Sequence, residues 1–477
     1  MTGRWLVFSF VAVGVFLTTS GLTIVNVALP FIVEDFHADL RSAQWILLGY
    51  LLATSSTLIN FGRLGDLLGS IRIQTTGSLI FIAASLLCGF SSSVEMLIGF
   101  RVLQALGASM IIATGPGIIT ASFPAEQRGK AVGLQGIVVG VSLSLGPSLG
   151  GFLTGLFGWK SVFLFNVPIG LLGVSLAYFI REPAVERKKV NIDVPGSILL
   201  FAAIACLVLA THRSRDFPWT SPGIATLVVL SLLLALAFIQ VEKRATHPML
   251  DLSLFSNRIF TLAQLGNYLS NMLMFSVLFL IPFYLVHIHQ YSAETVGLLL
   301  IPLPLTMIVG GPVSGFLTDR LGTKWLSVIA MGLLCVGLLS LSTLDQDSSP
   351  MGIMLRLVLL GSGRAFYRAP NLTAILSVIT KERFGVAGGI YATMRHLGNI
   401  SGVAMLGSFF NSRLAATVVT EGPSSPGQSL AGAASVQAFH ETFLLATAVA
   451  VIGTLLAMLQ REVRTSPLSS EDSPAAG

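Results

Sequence analysis

Charge is what this 477-residue sequence has least of: Asp, Glu, Lys and Arg together make up only 10%. An ordinary soluble domain carries about 25%, so a water-exposed globular fold of this size is excluded for want of polar surface. Cysteine is scarce too. Cys88, Cys206 and Cys335 lie inside apolar runs without metal-like spacing, and read as buried thiols, neither disulfides nor ligands. The net charge of +6 comes from basic residues scattered singly between apolar runs, with no basic stripe or interleaved aromatics, which excludes nucleic acid as a partner. No phosphate-binding loop, metal-spaced His/Cys/Asp/Glu cluster or Ser/His/Asp arrangement stands out, so an enzyme, a cofactor and a metal site are not expected.

What is present is oil. Hydrophobic residues make up 53%, 30 of them phenylalanine, and the mean hydropathy is +0.82. A spanning helix needs roughly 20 mostly apolar residues, and runs of that kind fall at 5–30, 42–62, 73–91, 95–121, 131–156, 160–180, 194–211, 223–241, 259–286, 296–317, 325–343, 352–379, 386–412 and 440–460. The first run is too long for the apolar part of a signal peptide and shows no small-residue cleavage site before Pro30, so it reads as a retained span. Bends are expected at Pro116, Pro147, Pro282 and Pro370. With the amino end cytoplasmic, 18 of the 28 Lys and Arg residues fall on the cytoplasmic side, five outside and five within spans. That bias predicts fourteen crossings with both termini cytoplasmic. The short loops suit a bacterial inner membrane.

The chain contains a duplication. Gly62-Arg-Leu-Gly-Asp66-Leu-Leu-Gly69 and Gly315-Phe-Leu-Thr-Asp319-Arg-Leu-Gly322 share the pattern G-x-L-x-D-x-x-G at an offset of 253 residues. Arg101, Arg128 and Gly133 align with Arg356, Arg383 and Gly388 at nearly the same offset, 255. Copies after helices 2 and 10 imply two six-helix halves with an inserted pair. The expected boundaries are 1–185 for the first bundle, 186–248 for the pair and 249–465 for the second, with a disordered tail at 466–477. Paired six-helix halves are a transporter pattern, with the substrate held between them near the bilayer midplane.

On these residues the chain resembles the fourteen-helix drug:proton antiporter group of the major facilitator superfamily. Thr23-Ile-Val-Asn26-Val-Ala-Leu-Pro30 is similar to the group's helix 1 signature, and Gly62 to Gly69 to the loop motif after helix 2. Arg101-Val-Leu-Gln104-Ala-Leu-Gly107 resembles the helix 4 motif, with Ala105 in place of the usual glycine. Gly136, Gly140 and Gly146-Pro147-Ser-Leu-Gly150-Gly151 resemble the helix 5 antiporter motif, and Gly158-Trp159 through Gly170 the opening of helix 6. The resemblance implies an all-α fold of two six-helix bundles plus two inserted helices, and export of small molecules by alternating access. The glycines around Gly146, Pro147 and Gly150 serve either as a sliding surface or as tight static packing. Asp66 and Asp319 sit at cytoplasmic helix ends, where they can pair with Arg63, Arg72 or Arg320 or accept from a neighbouring helix amino terminus; occurring once per half, they read as a gate latch in preference to a solvated turn.

The departures carry the substrate reading. The aspartate that the group usually has two residues before the threonine matching Thr23 is here Gly21, and none of the 22 acidic residues lies deep in a span. The resemblance implies a buried carboxylate in exporters of organic cations, since one group can hold either a proton or the cation. Positive groups are deep instead: Arg364 and Arg368 share one face of helix 12, four residues apart, with Tyr367 and Asn371 beside them. The repeat aligns the arginine pair with Ser109 and Ala113, so this half gained two charges. The expected site comprises Arg364, Arg368, Asn26, Gln104, Tyr367 and Asn371, with Arg101, Arg395 and His396 as candidates for charge relay; a packed neutral histidine is the other, favoured reading of His396. The other reading of the arginine pair is structural, bonding carbonyls near Pro370 or reaching for headgroups.

Together these features predict a monomeric transporter of small amphipathic molecules, favouring anions, with the proton as candidate coupling ion. An anion or lipid translocator without proton coupling and a transporter-derived sensor are the alternatives.

Overall fold

The computed structural model describes residues 2–180, 194–213, 221–244, 252–379, 384–421 and 428–462. The expected boundary at 185–186, the segment around 248–249 and the tail at 466–477 lie outside these residues. Among the described residues the chain is helical throughout, without strands. The amino-terminal half runs α1 (Thr2–Asp35), α2 (Leu40–Leu68), α3 (Ser70–Gly89), α4 (Val94–Ser122), α5 (Ala125–Phe157), then α6 (Ser161–Leu164) and α7 (Asn166–Tyr178) as one crossing. The inserted pair is α8 (Val194–Arg213) and α9 (Pro222–Arg244). The second half runs α10 (Arg258–His287), α11 (Ala293–Leu300) with α12 (Pro302–Leu321), α13 (Thr323–Leu341), α14 (Pro350–Ser377), α15 (Phe384–Ser401) with α16 (Gly407–Glu421), and α17 (Gln428–Met458).

These elements form fourteen crossings among the described residues, as the apolar runs predict. Ten are long and apolar enough to span a bilayer by length and composition alone. α2, α8, α14 and the α15–α16 unit complete the count, and α14 is diluted by Arg356, Arg364 and Arg368. Polar residues mark the helix starts: Asp39, Ser93, Asn257 and Ser349 each accept from a backbone N–H in the first turn, as N-caps do. α17 begins at Gln428, well before the expected 440.

The expected bends do not break the helices. α4, α5, α10 and α14 run through Pro116, Pro147, Pro282 and Pro370. The interruptions fall at Phe165, at Ile301 and in a π turn over Gly402–Leu406. Pro302 stands in the first turn of α12, where its missing N–H leaves no carbonyl unpaired.

The duplicated motif acquires a physical cause. α2 ends on Gly69 at φ 101° and α12 ends on Gly322 at φ 80°, a region that side chains rarely enter. In both halves the next helix starts at once, so glycine makes the sharp turn between antiparallel spans.

Packing distinguishes the two faces of the bundle. At the face opposite the amino terminus, one buried core joins the halves, with Ile32 and Leu47 of the first meeting Phe279, Leu300 and Val403 of the second. At the amino-terminal face the cores are separate: Phe10 and Ile119 belong to one, Phe260 and Ile375 to the other. The molecule is sealed at one end and parted at the other. Glycines let the seal form. A Cβ on Gly151 of α5 would come 2.9 Å from the Cα of Gly297 on α11, across the halves. On the other side Nε2 of Gln44 donates to the carbonyl of Val403 in the π turn, 3.4 Å away.

Candidate functional site

Between the halves lies a cavity of about 290 Å³, lined by α1, α2, α4 and α5 on one side and by α10, α12, α14 and α15 on the other. The amino-terminal wall is mostly apolar and uncharged, with Thr19, Tyr50 and Gln135 among its polar groups. The hydroxyls of Thr18, Thr23 and Thr54 bond carbonyls three or four residues back on their own helices, so their methyls are what remain to present. Charge is confined to α14 and α15. Arg364, Arg368 and Arg395 all line the cavity, within electrostatic reach of one another, and no described lining residue is acidic.

The three arginines differ in how they are held. Arg364 is buried; its Nη2 donates to Oδ1 of Asn271 at 2.8 Å and Nη1 reaches Oγ of Ser270 at 3.5 Å. Asn271 is fixed in turn, donating to the carbonyl and Oδ1 of Asn267, whose amide donates to the carbonyl of Tyr391 on α15. Arg368 is exposed to the cavity and makes no hydrogen bond or ion pair among the described residues. Nη2 of Arg395 stands 3.4 Å from Nε2 of His396. A guanidinium can only donate, so Nε2 accepts and the imidazole is neutral in this arrangement. That leaves the His396 proton on Nδ1, which is buried without a partner.

The other expected residues fall elsewhere. Gln104 and Arg101 face away from the cavity, inside the first half. Nη1 of Arg101 donates to Oε1 of Gln104 at 2.5 Å, Nε donates to the Ile46 carbonyl, and its Cζ lies 4.2 Å from the Tyr50 ring centroid. Gln104 donates onward to Ser85. Tyr367 and Asn371 are buried behind the arginines, the Asn371 amide donating to the Tyr367 hydroxyl and the Ala263 carbonyl. Asn26 is buried off the cavity, its amide without a partner among the described residues. Gly146 packs on Thr23, and a Cβ on Gly150 would come 2.6 Å from the Ile24 carbonyl, so both press α5 against α1 while Pro147 reaches the cavity. At the parted face Arg63 and Asp319 have interaction partners, and Arg320 lies 4.3 Å over the Phe316 ring. The Asp66 side chain lies outside the described residues.

Asn271, Asn399, Tyr391 and Gln135 also line the cavity. Asn267 and Asn271 stand four apart in the strongly apolar α10, a spacing that could have disclosed them in the sequence. Nothing in the sequence distinguishes Tyr391 or Gln135.

Two six-helix bundles meeting over a central cavity, sealed at one face only, have the form of a membrane carrier. Residues 11–403 match the Major Facilitator Superfamily, and the chain belongs to that family of secondary transporters. It is 34% identical over 457 residues to the riboflavin transporter RibZ of Clostridioides difficile (strain 630), covering 96% of this chain and 97% of that one. It is 36% identical to the tetracenomycin C resistance and export protein of Streptomyces glaucescens, covering 87% and 77%. The multidrug transporter protein MdtP of Bacillus subtilis (strain 168) is 30% identical, covering 92% and 82%. Among solved structures, a bacterial homolog of the human lysosomal transporter Spinster, inward-facing and occupied, superposes with a TM-score of 0.71 at 15% identity, covering 96% and 97%.

Proposed function

We propose that this transporter exports small amphipathic anions, the anionic group held by Arg364, Arg368 and Arg395 and the apolar body by the amino-terminal wall. One observation carries the reading: three guanidinium groups face a cavity that has no carboxylate among its described lining residues. An unpaired charge at bilayer depth costs about 2.5–3.5 kcal/mol or more, so such a site favours whatever supplies the missing negative charge. An organic cation would add a fourth positive group. Export is supported by the relatives named for resistance and multidrug transport. The excess of Lys and Arg on the amino-terminal side makes the parted face cytoplasmic, so the cavity is open to substrate from within the cell. Asp66 with Arg63, and Asp319 with Arg320, then serve as the latch that closes this face. His396 remains the candidate proton carrier of the cavity.

A second reading rests on the near-complete overlap with a protein named for riboflavin transport: the cavity takes a planar heteroaromatic body, charged or not. One assay separates the two. Purified protein in liposomes is offered riboflavin, riboflavin 5′-phosphate and an organic cation such as ethidium, and the series is repeated with Arg364→Ala plus Arg368→Ala. The anion reading expects the phosphate ester to be preferred and the double variant to lose that preference. Movement of ethidium at full rate in both proteins, driven by a pH gradient, rules it out. Riboflavin and its phosphate moving equally well in both proteins establishes the second reading.

A further inference from the structure

We propose, resting on the anion-binding reading above, that this carrier is an obligatory exchanger. Its empty form does not reorient, and each substrate anion leaving is matched by a small inorganic anion entering on the same guanidinium groups. The argument starts from what closure must do. The far face is sealed by a core built from both halves, while the near face has separate cores. Alternating access requires the near face to close before the far one opens, and in between the cavity is shut at both ends with little of its water.

Arg364, Arg368 and Arg395 are then shut in together. The groups facing them from the neighbouring elements are neutral: Thr18 and Thr23 on α1, Tyr50 on α2, Gln135 on α5, Asn271 on α10 and Tyr391 on α15. Asn271 and Ser270 give Arg364 dipoles, not charge. Arg368 has no hydrogen-bonding or ionic partner among the described residues, and the contact of Arg395 is to a neutral imidazole. Guanidinium does not lose its proton in proteins. Three like charges in a closed, low-dielectric space repel one another strongly, and only a mobile anion can relieve that.

Arg101 supplies the contrast. It is buried like Arg364 but stands apart from the other guanidinium groups, and its carbonyl, amide and aromatic partners all belong to the first half and travel with it. Its compensation is the same in every conformation. The compensation of the cavity arginines is lost whenever the cavity empties, so the empty carrier is held where it stands until an anion binds.

The test uses wild-type protein in liposomes loaded with riboflavin 5′-phosphate, with potassium and valinomycin clamping the membrane potential so that charge build-up does not limit the flux. The internal ester carries a radiolabel, and loss of internal label is followed into media containing unlabelled riboflavin 5′-phosphate, phosphate, chloride, or only dextran sulfate, which is too large to enter. Release into the first medium, and into at least one of the inorganic ones, should exceed release into dextran sulfate by about a hundredfold, the factor expected for one uncompensated charge in the membrane interior. The inorganic anion that supports release is the counter-substrate. Release into riboflavin 5′-phosphate alone keeps obligatory exchange and removes the inorganic partner. Equal release into all four media overturns exchange while leaving anion transport standing. Absence of protein-dependent release into any of them overturns the anion reading and this inference with it.

Discussion

Nη2 of Arg364 donates to Oδ1 of Asn271 at 2.8 Å, joining α14 to α10 at the floor of the cavity. Asn271 cannot turn freely, because its own amide is committed to Asn267, and Asn267 is committed to α15. The guanidinium is therefore aimed by a chain of amides crossing three helices. A hydrogen bond to a charged group contributes about 1.5–3 kcal/mol. Asn271→Ala should weaken riboflavin 5′-phosphate binding about tenfold or more and leave riboflavin binding unchanged. Fluorescence titration of both flavins checks this. Equal losses for the two ligands would show that Asn271 acts through packing and not through Arg364.

How far the sequence foretold this site depends on the residue. Arg364 and Arg368 were legible because a charge in an apolar run is rare and costly, so its presence demands a reason. The duplication was legible because the motif repeats at a fixed offset, but the sharp turns that Gly69 and Gly322 make came only with the structure. Asn271 was not singled out, because a neutral amide carries no comparable signal, though its i, i+4 partner Asn267 hinted at it. Gln104 shows the opposite failure. It lies in the same motif as Arg101, yet helix rotation turns both into the first half. Pro116, Pro147, Pro282 and Pro370 stand inside continuous helices, while the chain breaks where Pro302 can begin a new one.

The far seal makes its own prediction. Gly151 and Gly297 let α5 and α11 touch backbone to backbone, and Gly155 packs on the side chain of Glu294 just beyond. A leucine at Gly151 cannot be accommodated by side-chain adjustment, since it meets backbone. Gly151→Leu should hold the far face apart, lowering turnover by about tenfold or more while ligand binding persists. Spin-label distances across the α5–α11 seam should lengthen. Turnover that falls with the distances unchanged would point to misfolding of α5 instead.

Gly69 and Gly322 should behave as a pair in stability. Non-glycine residues forced into such backbone conformations cost about 1–3 kcal/mol each. Gly322→Ala is expected to be the worse, because its Cβ would also collide with the Glu462 carboxyl. Thermal unfolding followed by size-exclusion chromatography should show a lowered midpoint for both variants, with transport per folded molecule retained. Unchanged midpoints would mean that the turns relax to another geometry at no cost, and the structural account of the repeat would fail.

Arg101 is the sharpest test of the division between cavity and scaffold. Its planar guanidinium stacks on Tyr50 while its edge serves the Ile46 carbonyl and Gln104. Lysine keeps the charge but offers neither the plane nor the fork, so in Arg101→Lys at least one of these acceptors is left short in a dry interior. The loss should be about 1–3 kcal/mol of stability, seen as a lower unfolding midpoint and a lower yield of folded protein. Because none of these partners lies on the cationic wall, KM for riboflavin 5′-phosphate should stay within about twofold, as for a substitution away from the ligand. If instead Arg101→Lys unfolds at the wild-type temperature and yet transports nothing, the residue acts in the transport cycle itself. The first half would then be a working part of the charge movement, not the neutral wall against which it occurs.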